Sequence, residues 1–196
     1  MLETIIRPAY QRYFADPLIK RFVLVTKIKP NHITSASLLT GIVAASFIAI
    51  NSPVFAIVFL ILSGCLDSLD GTLARMKMTT SAFGSVLDIM SDRIVELAIV
   101  IGFYLQATEA RALPCLLMMS SICLCVTSFL VVGIFSENKS EKSFHYSPGM
   151  IERFEAFVFF SAIIFLPEYF NVLAYWFSIL VMATAAIRIY EFSKQS

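Results

Sequence analysis

Long apolar runs separated by short polar punctuation dominate the chain. A helix needs about 20 mostly apolar residues to cross a hydrocarbon core of roughly 30 Å, and stretches close to that length occupy residues 33–50, 53–77, 84–107, 112–136, 150–166 and 171–190. Breakers mark most of the joins: Asn51-Ser52-Pro53, then Thr79-Thr80-Ser81, then Pro167-Glu168, with Pro114 placed in the opening turn of the fourth stretch. The pattern predicts an all-α membrane protein in which residues 30–196 form six transmembrane helices arranged as a series of hairpins. Residues 1–29 read differently. There Ile5, Ile6, Tyr10, Tyr13, Phe14 and Phe22 alternate with basic residues and Pro17 interrupts them, which predicts an amphipathic juxtamembrane helix lying on the bilayer surface.

Composition makes lipid the solvent for much of the chain. Its 196 residues suit one domain, but 58% of them are hydrophobic, 18 are Phe and the mean hydropathy is +0.80, too apolar for a water-soluble fold. A net charge of +1 argues against a nucleic-acid partner. The distribution of that charge is informative. With six spans, every Lys and Arg except Arg93 and Arg111 falls on the side shared by both termini, so the positive-inside rule makes that side, the 78–82 turn and the 137–149 loop cytoplasmic. The chain then reads as an inner (cytoplasmic) membrane protein with its chemistry facing the cytosol. Cys65, Cys115, Cys123 and Cys125 all lie in apolar runs without CxxC spacing and read as small buried hydrophobes.

Four carboxylates stand where an apolar span should have none. Asp67 and Asp70 lie three apart in the second stretch, and Asp88 and Asp92 lie four apart in the third, so each helix presents two acids on one face. Each costs about 2.5–3.5 kcal/mol at a helix centre on insertion scales. A tight turn joins the two helices, which predicts an antiparallel pair with all four acids at its cytoplasmic end. Pairing with Arg75 and Arg93 would leave excess negative charge; a pair of hard divalent cations, Mg²⁺, Mn²⁺ or Ca²⁺, removes it. A divalent-metal transport path explains the acids as well. It does not explain the small residues among them. Gly71 follows Asp70, Ala74 lies one turn further, and Gly84 precedes Asp88 by one turn, leaving room for a phosphate or ligand backbone. Arg75 lies near the Asp67 face, where a guanidinium reaches phosphate oxygens. Metals, arginine and open space describe a pyrophosphate site.

Read as one pattern, Asp67-x2-Asp70-Gly71-x2-Ala74-Arg75-x8-Gly84-x3-Asp88-x3-Asp92 resembles the signature of the CDP-alcohol phosphatidyltransferase family at each of eight positions in 26 residues. Pro30-Asn31-His32-Ile33-Thr34 is similar to the family's approach to its first span. The resemblance implies a metal-dependent phosphotransferase that moves a phosphatidyl group from CDP-diacylglycerol to an alcohol with release of CMP. It implies Asp67, Asp70, Asp88 and Asp92 as metal ligands, with Asp92 also the catalytic base. Gly71, Ala74, Arg75, Gly84 and Thr34 would bind the nucleotide. It further implies a homodimer among membrane lipids.

The alcohol is less constrained by the sequence. Lys139, Lys142, Arg153 and Arg188 form a basic acceptor-binding set on the cytoplasmic side, suited to an acceptor with its own phosphate, such as glycerol 3-phosphate or inositol phosphate. Positive-inside bias alone accounts for the same charges. Gly149-Met150-Ile151-Glu152-Arg153 is similar to a segment of relatives that use phosphorylated polyols, against the alternative of serine, choline or phosphatidylglycerol. Glu96 continues the Asp88 and Asp92 face, and its simpler reading is a partner for Arg93.

Overall fold

The structure, a computed structural model, describes residues 29–135 and 153–195, and among them it is entirely helical. The helices are α1 (Pro30–Ala49), α2 (Pro53–Met76), α3 (Ala82–Gln106), α4 (Thr108–Phe135), α5 (Arg153–Phe165) and α6 (Phe170–Gln195), with a 3₁₀ turn at Pro167–Tyr169 before the last. The N-terminal surface helix expected over 1–29 lies outside the described residues except for Lys29, as do Lys139 and Lys142.

Among the described residues four segments are long and apolar enough to cross a membrane: α1, α2, α4 and Pro167–Lys194. Helix α3 has the length, but Asp88, Asp92, Arg93 and Glu96 interrupt its apolar character. Helix α5 has 13 described residues. The breakers act where the sequence places them. Asn51 adopts φ 56° at the end of α1, and the Ser52 amide donates to Phe47 O at 2.9 Å, the left-handed cap that Asn tolerates. Pro53 then opens α2 with the φ a first helical turn needs. After α2, Met78 takes φ 51° while the Thr79 amide reaches Ala74 O at 3.0 Å. Ser81 Oγ accepts from the Gly84 amide at 3.0 Å and caps α3.

Pro114 departs from expectation. Helix α4 already begins at Thr108 and carries Pro114 within it, buried. The residues between, Glu109, Ala110, Arg111, Ala112 and Leu113, are strong helix formers, so the helix extends through a stretch whose charges had marked it as connector.

The described residues divide into two compact units, one carrying α1–α3 and the other α4–α6. In the first, α1 packs against both α2 and α3. Its buried stripe, Ile33, Thr34, Ser37, Gly41, Ala44, Ala45 and Ile48, is built mainly of small side chains, which lets backbones approach closely in the absence of a hydrophobic drive between spans. A Cβ on Gly41 would stand 2.5 Å from Val95 Cγ2, and one on Gly102 would stand 2.6 Å from Ala45 O. At the far end Gln106 Nε2 donates to Ile48 O at 2.6 Å, satisfying a terminal carbonyl of α1. In the second unit α6 packs on α4, with Phe160 against Phe177 at 5.5 Å between ring centres and the Arg111 guanidinium 4.2 Å from the Phe170 ring centre. All four cysteines are free.

The Gly102 contact gives a stability prediction. Gly102→Ala puts a methyl against backbone that cannot swing aside, and the variant should lose about 1–3 kcal/mol, read as a lowered melting temperature in detergent. An unchanged melting temperature would show that α1 and α3 do not meet this closely.

Candidate metal centre

The carboxylates converge at the end of the first unit where α2 closes and α3 opens. One oxygen from each of Asp67, Asp70 and Asp88 lies within 4.8 Å of the others. Oxygen ligands sit about 2.0–2.6 Å from a hard divalent cation, so two on one ion stand at most about 4–5 Å apart. The donor set therefore fits such an ion. Asp70 is 4% exposed, and its Oδ2 is buried with no hydrogen-bond partner among the described residues. A buried carboxylate oxygen without a donor is costly, and a cation is the partner that this acidic surrounding admits. Asp67 and Asp88 are half-buried beside it.

Helix α1 borders the cluster: Thr34 is 4% exposed, and its hydroxyl donates to Pro30 O at 3.3 Å. Ile33 packs with Leu69 and Leu73 beneath, and Leu66 and Met76 flank them. This apolar patch seats the start of α1 against the acidic turn of α2.

Asp92 lies one turn beyond Asp88 on α3, half-buried, and is outside the three-acid group. Arg93 does not neutralise the cluster by default, because it forks onto Glu96: Nη1 is 2.7 Å from Oε2 and Nη2 donates to Oε1 at 2.8 Å. The simpler reading of Glu96 as the partner of Arg93 holds.

The nucleotide-binding candidates gather on the same end. A Cβ on Gly71 would meet only Arg75 Nη1 at 3.5 Å, an ordinary contact with the far end of a flexible side chain, so the space beside Asp70 is open. Arg75 is exposed and donates from Nη2 to Thr72 Oγ1 at 3.1 Å, and Ala74 beside it is half-buried. Gly84 sits where a Cβ would come 3.1 Å from Ser81 Oγ and 3.5 Å from Asn31 Oδ1, which brings the first turns of α1 and α3 together.

Of the acceptor candidates, Arg153 opens α5 and Arg188 lies in α6, both in the unit that does not carry the aspartates. Arg188 is 8% exposed; its Nη1 donates to Cys125 O and to Ser128 Oγ, each at 2.9 Å, its guanidinium lies 5.4 Å from the Phe129 ring centre, and its Nε is without a partner among the described residues. Sequence reasoning passed over Ser37, Gly41 and Ala45, which let α1 sit close against its neighbours. Their spacing of four, a small residue on every turn of one face, was the available signal.

Comparisons with known proteins bear on the family and the fold. The sequence model of the family described as CDP-alcohol phosphatidyltransferase matches residues 27–187. The chain is 30% identical over 185 residues to inner membrane protein YnjF of Escherichia coli (strain K12), covering 89% of each. It is 28% identical over 142 residues to phosphatidylinositol phosphate synthase of Corynebacterium glutamicum, covering 71% of this chain and 64% of that one. Two crystal structures of Mycobacterium tuberculosis phosphatidylinositol phosphate synthase (PgsA1) share the fold, each with a TM-score of 0.75. The one with CDP-DAG bound is 17% identical, covering 91% of this chain and 93% of that chain. The one in complex with manganese and citrate is 16% identical, covering 91% and 88%.

Replacing one acid of the three should weaken the site without refolding it. Asp67→Asn, Asp70→Asn or Asp88→Asn should each raise the Kd for Mn²⁺ by about tenfold or more, measured by calorimetry or Mn²⁺ resonance on detergent-purified protein. Equal affinity in all three variants would contradict the assignment.

Proposed function

The chain belongs to the CDP-alcohol phosphatidyltransferase family, and from that premise we propose that it transfers the phosphatidyl group of CDP-diacylglycerol to a phosphorylated polyol, with release of CMP. The observation that carries this reading is the convergence of Asp67, Asp70 and Asp88 within 4.8 Å beside an open glycine. Asp67, Asp70, Asp88 and Asp92 would hold Mg²⁺ or Mn²⁺, which would supply charge neutralisation for the diphosphate and the departing CMP.

The protein's own groups do the rest. Gly71 and Ala74 leave space for the nucleotide along α2, Arg75 donates to its phosphates, and Gly84 and Thr34 border the same space from α3 and α1. Asp92 accepts the proton of the acceptor hydroxyl. That oxygen forms a bond to the phosphatidyl-side phosphorus as the bond from this phosphorus to the CMP oxygen breaks, and the proton passes from Asp92 to solvent. Binding and orientation supply most of the rate, as expected for phosphoryl transfer.

The acceptor is inositol phosphate or glycerol 3-phosphate, and Lys139, Lys142, Arg153 and Arg188 bind its phosphate. The name of the Corynebacterium relative supports this choice, as does a buried guanidinium in Arg188 with one nitrogen still to be satisfied. All six helices cross the inner membrane, α3 shielded by its neighbours, with both termini and the metal centre on the cytoplasmic side. Acyl chains stay in the bilayer while the cytidine enters from the cytoplasmic side and the soluble polyol arrives from the cytosol. The protein works as a homodimer, as the family resemblance implies.

Purified protein incubated with CDP-diacylglycerol, Mn²⁺ or Mg²⁺ and a panel of alcohols should release CMP with a phosphorylated polyol and not with serine or choline. Asp92→Asn should lower CMP release by about a hundredfold or more while CDP-diacylglycerol still binds. Full turnover in that variant would remove Asp92 from the base role, and CMP release with serine alone would overturn the acceptor.

A further inference from the structure

Most hydroxyls in these helices turn back on their own backbone. Thr40, Ser46, Thr72, Ser120, Thr127, Ser161 and Thr184 each donate to a carbonyl four residues earlier. Ser37 and Ser63 instead donate across two helices. Ser37 Oγ donates to Ser63 O and Ser63 Oγ donates to Ser37 O, both at 2.8 Å, with the two hydroxyl oxygens 3.4 Å apart. Both residues are almost completely buried, at 2% and 0% exposure. A reciprocal bond of this kind is satisfied at one register of α1 against α2 and at no neighbouring one.

That register bears on the metal centre. Ser63 precedes Asp67 by four residues and Asp70 by seven, so all three lie along one face of α2. Ser37 follows the buried Thr34 by three residues on α1, one turn from the patch where Ile33 packs against Leu69 and Leu73 of α2. Helix α1 is also the element packed on α3 through Gly41 and Gly102, so the spacing between the acids of α2 and Asp88 of α3 is set through α1. We propose that Ser37 and Ser63 are positioning residues for the metal centre: their reciprocal bond fixes α2 along α1 and thereby holds Asp67 and Asp70 at ligand distance from Asp88. The proposal rests on the reading of these acids as metal ligands.

The double variant Ser37→Ala/Ser63→Ala is the informative one. It removes both hydroxyls together, so no buried donor is left stranded, and the two carbonyls keep their helical partners; the loss of stability should be small. The Kd for Mn²⁺ should nonetheless rise about tenfold, because divalent sites depend on ligand placement within a few tenths of an ångström. Turnover should fall at limiting Mn²⁺ and recover at saturating Mn²⁺, a response that a merely structural role would not produce. A folded double variant with the wild-type Mn²⁺ Kd and activation curve would overturn the proposal. Should the double variant fail to fold, the single variants carry the test, and wild-type affinity in both would overturn it equally. Asp70→Asn run alongside separates the two readings: if it binds Mn²⁺ as the wild type does, the metal assignment itself has failed.

Discussion

Negative charge concentrated in an apolar bundle is the constraint on which the rest of this structure depends. Asp70 is almost completely buried, Asp67 and Asp88 crowd it, and the Arg93 guanidinium on α3 is paired with Glu96. Three carboxylates at such distances repel one another strongly in a medium that screens poorly. Divalent cations resolve the repulsion in a way that a single arginine cannot, because they carry more charge in less volume and accept several oxygens at once. Gly71 leaves open space beside these acids, and Gly84 lets the first turns of α1 and α3 come together.

Helix α1 carries none of these acids, yet it is the element through which the two acidic helices are held. Its buried stripe is small on one face, so α2 and α3 both approach its backbone. In lipid this is the available means of close packing, since burying larger apolar side chains gives no advantage over leaving them among acyl chains. The packing that brings the acidic helices together thus comes from glycine, alanine and serine on α1.

The sequence made the helices legible because their apolar runs are interrupted by residues with definite backbone preferences. Asn51 and Pro53 end one helix and open the next within three residues, and Ser81 caps α3. The acidic pattern was legible for a different reason, since carboxylates in a span are costly enough to demand an explanation. The middle position of α1 was hidden because Ser37, Gly41 and Ala45 look like any weakly apolar span until a partner is present. Pro114 misled because proline is read locally, whereas the five helix-forming residues before it decide where α4 begins. The acids of α2 and α3 were expected to meet through direct pairing of those two helices; they meet through a shared neighbour instead.

Helix α3 shows how chemistry and membrane insertion oppose each other in one segment. Asp88, Asp92, Arg93 and Glu96 fall within nine residues, and they are what prevents α3 from qualifying as an apolar span. Removing them would make a better membrane helix and abolish the site. The structure reconciles the two demands by sorting the charges rather than diluting them. Arg93 and Glu96 cancel within the helix through a forked pair, Asp88 joins the acids of α2, and Gly102 lets the apolar remainder of α3 lie against α1. The contacts that seat α3 against α1 are also the contacts that place its aspartate.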